Sequence, residues 1–285
     1  MSQRSGLFLV DKPAGPSSFG VLRALRPALG AKLGHAGTLD PFATGLLLVL
    51  AGRSTRLATF LSGLDKSYRA TVQFGAVSTT LDPEGELTET GALTTREAVE
   101  RAAGGMLGEI EQAVPAASAV KVDGERAYRR MRRGEQVVTQ PRRVRIDRLQ
   151  VEAFDPECQQ AVIAVDCTKG TYVRQLAADL GSSVGAGAFC RELRRLAVGP
   201  FTVDRAGTPE AISADPDGPW HLPPRAALAH LPERELTERE RVAVCNGRPI
   251  TAAGERGTVA LVSLGDLIAV AETDDGRLRP VAVFA

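Results

Sequence analysis

One aspartate and one histidine stand among turn-forming residues in the segment GHAGTLDPFATG, residues 34–45. Gly34, Gly37, Pro41 and Gly45 punctuate it, which suits a loop whose backbone leaves the regions open to most side chains. An aspartate there, Asp40, has the chemistry of a nucleophile or general base, and the apolar run LLLVLA behind it has the composition of a buried strand able to anchor the loop. The same spacing also describes an ordinary Asp-Pro turn ahead of a core strand. A second candidate is Arg174 in KGTYVRQLAADLG, residues 169–181. It falls in the first turn of a predicted helix, where the helix dipole opposes a cation by roughly 0.3 kcal/mol or more, so an anion facing it would explain its place. It lies about 200° around that helix from Tyr172, away from the apolar stripe, although a surface arginine fits the pattern as well. Tyr68, in DKSYRATVQFG (65–75), is an aromatic on a predicted strand, a position more often filled by core. From residue types alone these three describe an α/β enzyme or an RNA-binding protein, and no named reaction.

The elements that must hold these groups follow from periodicity. Tyr68, Ala70, Val72 and Phe74 alternate with polar residues as on a half-buried strand. A helix is predicted over about 94–107, with Thr94 and Glu97 at capping-box spacing. Two strands are predicted at 144–154 and 161–167, and a helix in which Tyr172, Leu176, Leu180 and Val184 recur every fourth position. Between 205 and 224, Pro209, Pro216, Gly218, Pro219, Pro223 and Pro224 interrupt any regular element, so a linker is expected there. Beyond it come a short helix near 225–231, a second helix capped by Thr237 and Glu240, and the strands TVALVSL, LIAVAE and LRPVAVF. The expected organisation is a catalytic domain over 1–204, a linker over 205–224 and a small β-rich domain over 225–285.

A chain of 285 residues that is 44% apolar and 24% charged buries a full core. The apolar run Leu46 to Ala51 is too short to span a bilayer, so no membrane association and a cytoplasmic location are expected. The four cysteines form no CxxC pair and the three histidines are scattered, which gives no metal-ligand spacing. Net charge is +1, yet residues 121–148 hold ten basic and four acidic side chains. Such a local excess, rich in arginine, suits a phosphate backbone; a solvated basic surface is the plainer alternative.

At these residues the chain resembles the bacterial TruB family, the tRNA pseudouridine-55 synthases. The likeness runs through LFLVDKPAGPSS (7–18), GHAGTLDPFATG, DKSYRATVQFG, SAVK followed by Gly124 and Tyr128, KGTYVRQLAADLG, and LRRLAVGPF (193–201), in family order. The resemblance implies an α/β (α+β) pseudouridine synthase fold: a mixed, largely antiparallel sheet flanked by helices, with a small PUA-like C-terminal domain. It implies isomerisation of uridine 55 in the T-loop of tRNA, with the target base flipped into the pocket and neither cofactor nor metal. It also implies roles: Asp40 as the catalytic aspartate, Tyr68 and Arg174 beside it, Leu193 lining the pocket, His35 stacking in the RNA loop, and Lys12 in a structural position. Arg174 would then hold Asp40 ionised, since a nearby cation lowers a carboxyl pKa. Tyr172, Lys121 and Arg132 are further expected RNA contacts, the partner is the tRNA T-arm, and a monomer is expected.

The chain departs from the family pattern at Ser78-Thr79-Thr80, Ala117, Tyr128-Arg129, Met131-Arg132 and Phe189. None of these is expected to touch the catalytic trio; they are expected to bear on RNA docking. Two other functions share the motifs: a non-catalytic tRNA-binding or folding protein, and the catalytic subunit of a guide-RNA-dependent complex.

Overall fold

The computed structural model describes residues 4–118, 121–122, 124–126, 130, 133, 135 and 139–284, with the backbone alone at 121, 122 and 126. The expected contacts Lys121 (as a side chain) and Arg132 therefore lie outside the described residues, as does Tyr128.

Alternation along the strands builds the central sheet. β1 (Gly6–Lys12), β2 (Leu33–Ala36), β3 (Thr44–Ala51) and β4 (Lys66–Phe74) are followed by β5 (Gly108–Gln112), β6 (Arg142–Asp155), β7 (Gln160–Cys167) and β8 (Ala188–Val198). Their order is β1-β3-β8-β4-β7-β6-β5, with β2 added alongside β3. Only the β3–β8 pairing among these is parallel, so the sheet is mixed and largely antiparallel, as expected. β4 buries Lys66, Tyr68, Ala70, Val72 and Phe74 at every second position, whereas β3 is buried almost throughout because both of its faces are covered.

Helices α1 (Ser18–Leu29), α2 (Ala58–Ser62), α3 (Arg96–Gly104) and α4 (Val173–Ser183) flank the sheet. The cap of α3 differs from expectation. Thr95, not Thr94, is the N-cap and accepts from Ala98 N, while Thr94 N donates to Gln159 Oε1 at 2.7 Å. A tertiary hydrogen bond thus holds Thr94 outside the helix. The helix expected near 225–231 is a single 3-10 turn, Ala226–Leu228.

The proline-rich stretch 205–224 carries regular structure. Thr208 caps a short helix, Pro209–Ala214, with proline in its first turn, where the missing N–H is harmless. His221 and Leu222 then pair with Phe8 and Leu7 at the edge of the sheet, and the His221 ring stacks on Phe8 with centroids 4.5 Å apart. A second, five-stranded sheet spans 233–283. Alternate residues of its strand Thr258–Ser263 face two layers. Ala260 and Val262 join an apolar cluster with Leu7, Leu9, Leu48 and Leu50 of β1 and β3, while Val259 and Leu261 pack with Val244. The capping box at Thr237 and Glu240 is formed as expected.

Candidate active site

The loop carrying Asp40 is pinned from beneath by three side chains. Lys12 is fully buried, and its Nζ donates to the carbonyls of Pro13 (2.8 Å), Pro41 (3.0 Å) and Ala43 (2.7 Å). Ser18 Oγ accepts from Leu39 N and donates to Leu39 O, each at 2.9 Å. Arg195, 1% exposed, donates from Nε to Leu46 O at 2.7 Å and from Nη2 to Gly37 O at 3.0 Å. These bonds satisfy carbonyls that an irregular buried loop would otherwise leave unpaired. Gly45 is required here for a plain reason: an added Cβ would lie 2.3 Å from Arg195 O, at a φ of +99°.

Arg174 and Asp40 meet across the pocket. Nε of Arg174 lies 2.9 Å from Asp40 Oδ2, so the cation at the start of α4 does face an anion. It faces two. Nη1 also binds Asp82 Oδ2 at 2.8 Å and Thr80 O at 2.7 Å, and Nη2 donates to Ala117 O at 2.8 Å, so two of the departure positions, Thr80 and Ala117, do touch the catalytic trio, through their backbone carbonyls. Arg174 and Asp82 side chains are 3% and 4% exposed, whereas Asp40 keeps 35%. Asp40 is therefore the member of the trio that is open to a ligand.

That geometry corrects the expected electrostatics. Burial pushes the Asp40 carboxyl above the usual aspartate range, with Asp82 adding to the rise and Arg174 and Lys12 opposing it. A guanidinium shared with a buried second carboxylate offsets the shift without reversing it. Arg174 orients Asp40 and favours its ionised form, without outweighing burial. Burial also raises the Tyr68 hydroxyl, which keeps the phenol protonated and suits it to stacking and hydrogen bonding.

The pocket above Asp40 has a volume of about 340 Å³, within the range of small-molecule sites. Of the expected site residues, Asp40, Tyr68, Tyr172, Arg174 and Leu193 all line it. Its floor is a grid of side chains from two adjacent strands. Lys66 and Tyr68 project from β4, and Leu193 and Arg195 from β8, with Arg195 opposite Tyr68 and Leu193 opposite Ala70. Tyr172, the N-cap of α4, is fixed by Gln112, whose side chain accepts from Tyr172 N at 2.8 Å and donates to Tyr172 O at 3.1 Å. His35 sits apart: it is on β2 opposite Val49, and it is not among the residues lining the pocket.

Asp82, Lys66, Arg195 and Gln112 were not singled out from the sequence. Two of them left a trace there. Thr-Leu-Asp-Pro occurs twice, at 38–41 and 80–83, and both aspartates bind Arg174. Arg195 follows Leu193 by two positions, the spacing that places strand residues on one face. The basic stretch 121–148 is also partly neutralised: Arg133 pairs with Glu125 and Glu135, Arg130 with Glu135, and Arg145 with Asp147. Among the described residues no group of acidic, histidine or cysteine side chains is arranged to hold a metal, and no helix is long and apolar enough to cross a membrane.

Comparison with known proteins gives two family matches. Residues 25–173 match the model described as TruB family pseudouridylate synthase, N-terminal domain, and residues 231–285 match tRNA pseudouridine synthase II, C-terminal. A protein of Arthrobacter sp. (strain FB24) named tRNA pseudouridine synthase B is 41% identical, over 99% of this chain and 97% of its own. One of the same name from Thermobifida fusca is 40% identical over 98% of each. Among solved structures, an H/ACA RNP bound to a substrate RNA containing 2′-deoxyuridine aligns over 98% of this chain and 85% of its own with a TM-score of 0.76. At 22% identity, that likeness speaks for the fold.

Proposed function

The chain belongs to the TruB family of pseudouridylate synthases, and we propose that it acts alone on tRNA, isomerising uridine 55 of the T-loop to pseudouridine. The observation that carries this reading is the trio at the pocket: a carboxylate, Asp40, open to a ligand and held by Arg174, which Asp82 anchors from behind. The reaction breaks the N1–C1′ bond, turns the uracil, joins C5 to C1′ and moves a proton from C5 to N1. No electron is gained or lost overall. Attack on C1′, attack on the base, and removal of the 2′ proton all need the same ionised, oriented carboxylate, and Arg174 both orients Asp40 and favours its ionised form.

A base inside a stacked loop cannot reach a carboxylate at the bottom of a pocket, so the target nucleotide must swing out to enter it. Tyr68 and Leu193 offer the flat and apolar surfaces that would hold the uracil. Relatives about 40% identical along nearly their whole length are named tRNA pseudouridine synthase B, which favours tRNA as the substrate.

The test is incubation of purified protein with an unmodified tRNA transcript, followed by chemical mapping of pseudouridine. Wild type should modify position 55 without added factors, and Asp40→Asn should bind the transcript without modifying it. Full activity in Asp40→Asn would overturn the assignment.

A further inference from the structure

Arg174 is matched by two carboxylates, but two other cations at the pocket are not. Lys66 and Arg195 are 9% and 1% exposed, and among the described residues neither has a carboxylate within ion-pair distance. Lys66 Nζ donates to Ser62 O at 3.0 Å and to Leu64 O; the Arg195 guanidinium rests on the carbonyls of Gly37, Thr38 and Leu46. Burying a single charge without a counter-charge is costly, and here two like charges are close enough to oppose one another. Burial first, and the neighbouring Arg195 second, lower Lys66 to about 8.

The space they enclose is kept open by an absent side chain. Gly37 lines the pocket with φ at +83°, and a Cβ there would sit 3.5 Å from Arg195 Nη1 and 4.0 Å from Lys66 Cε. Both residues come from the rigid floor strands β4 and β8, so the opening is built before any ligand arrives. Neutral acceptors such as uracil carbonyls would leave the double positive charge uncompensated; a phosphate oxygen brings the missing anion.

We propose that Lys66 and Arg195, across the gap at Gly37, form an anion subsite that takes a phosphodiester flanking the target uridine. The inference rests on the uridine-isomerising function proposed above. It gives the enzyme a grip on the flipped nucleotide's own backbone, independent of contacts made to the rest of the RNA.

The experiment uses T-arm stem-loop RNAs carrying one neutral methylphosphonate linkage, placed 5′ or 3′ of the target uridine or, as a control, in the stem. For wild type, one flanking substitution should lower kcat/KM by about tenfold or more, the scale of a lost charge-assisted hydrogen bond. Lys66→Met should lose a similar factor on native RNA and nothing further on that neutral linkage. Wild-type rates equally tolerant of the flanking and stem substitutions would overturn the subsite, as would losses from variant and linkage that simply multiply. Should Lys66→Met fail to fold, the wild-type linkage scan decides. Absence of pseudouridine in native RNA with wild type would instead mark failure of the functional reading.

Discussion

Arg174 and Asp82 form an ion pair at 2.8 Å with both side chains almost wholly buried, so the guanidinium that Asp40 faces is already neutralised along its other edge. The two aspartates therefore divide the work. Asp82 compensates the buried cation, and Asp40 remains the poised and partly open carboxylate.

This division predicts opposite stability effects for two chemically identical changes. Asp82→Asn removes the counter-charge of a buried arginine and should destabilise the protein by about 3 kcal/mol, the scale for breaking one side of a buried pair. Asp40→Asn should leave stability unchanged or raised at pH above the folded value of Asp40. A carboxyl whose pKa is raised on folding stabilises the fold only at pH below its unfolded value, and that contribution is lost as pH rises through the folded value. Above the folded value the ionised Asp40 is a burden to the fold. Urea unfolding of both variants checks the contrast; equal losses would refute it.

The same electrostatics set the acid limb of activity. Since burial and Asp82 raise the Asp40 carboxyl, kcat/KM should begin to fall, as pH drops, above the range of an ordinary aspartate, because the protonated acid cannot act as a nucleophile. Asp82→Asn removes a neighbouring negative charge and should move that limb to lower pH, whatever its effect on the maximum rate. A pH profile of kcat/KM in both proteins, taken only where the fold is intact by circular dichroism, measures the shift and its sign.

Much of this was legible beforehand, and the gaps have physical causes. Period-two alternation located β4, the last three strands were expected where they lie, and the odd place of Arg174 at a helix start did mark a facing anion. Asp82 escaped because its partner lies 92 positions away in the chain, and periodicity says nothing about which loops a fold brings together. Gln112 left no local sign either, since its task is to replace backbone partners for Tyr172, a contact that only the tertiary structure creates. The proline-rich 205–224 stretch shows the converse. Proline suits the first turn of a helix and the edge of a sheet, so composition that suggests a connector is compatible with the structure it carries.

Lys12 links the first strand to the catalytic loop, and its loss should be felt in turnover. In Lys12→Met the carbonyls of Pro13, Pro41 and Ala43 lose their shared donor; Pro41 keeps its bond from Gly15 N, and each carbonyl left unsatisfied costs on the order of 1 kcal/mol or more. The loop should loosen around Asp40, with kcat falling by about tenfold or more while KM changes little, because the floor residues Tyr68 and Leu193 stand on other strands. Steady-state kinetics on a T-arm stem-loop separates the two parameters. A rise in KM at unchanged kcat would mean that Lys12 serves binding.

Gln112 offers the most selective test of how the pocket wall is held. Its amide bonds both backbone groups of Tyr172 at the start of α4, two residues before the arginine that orients Asp40. Gln112→Leu keeps most of the volume but leaves the Tyr172 N–H unpaired, at a cost of about 1–3 kcal/mol, while the Tyr172 carbonyl keeps only its bond from Leu176 N. Gln112→Glu keeps one acceptor for the N–H and loses the donor to the carbonyl. Activity should therefore decline from wild type through Gln112→Glu to Gln112→Leu, with the loss shared between kcat and KM, since Tyr172 lines the pocket while α4 also carries Arg174. Should Gln112→Leu match wild type in both parameters, α4 is positioned by its apolar face alone, through Leu176, Ala177 and Leu180.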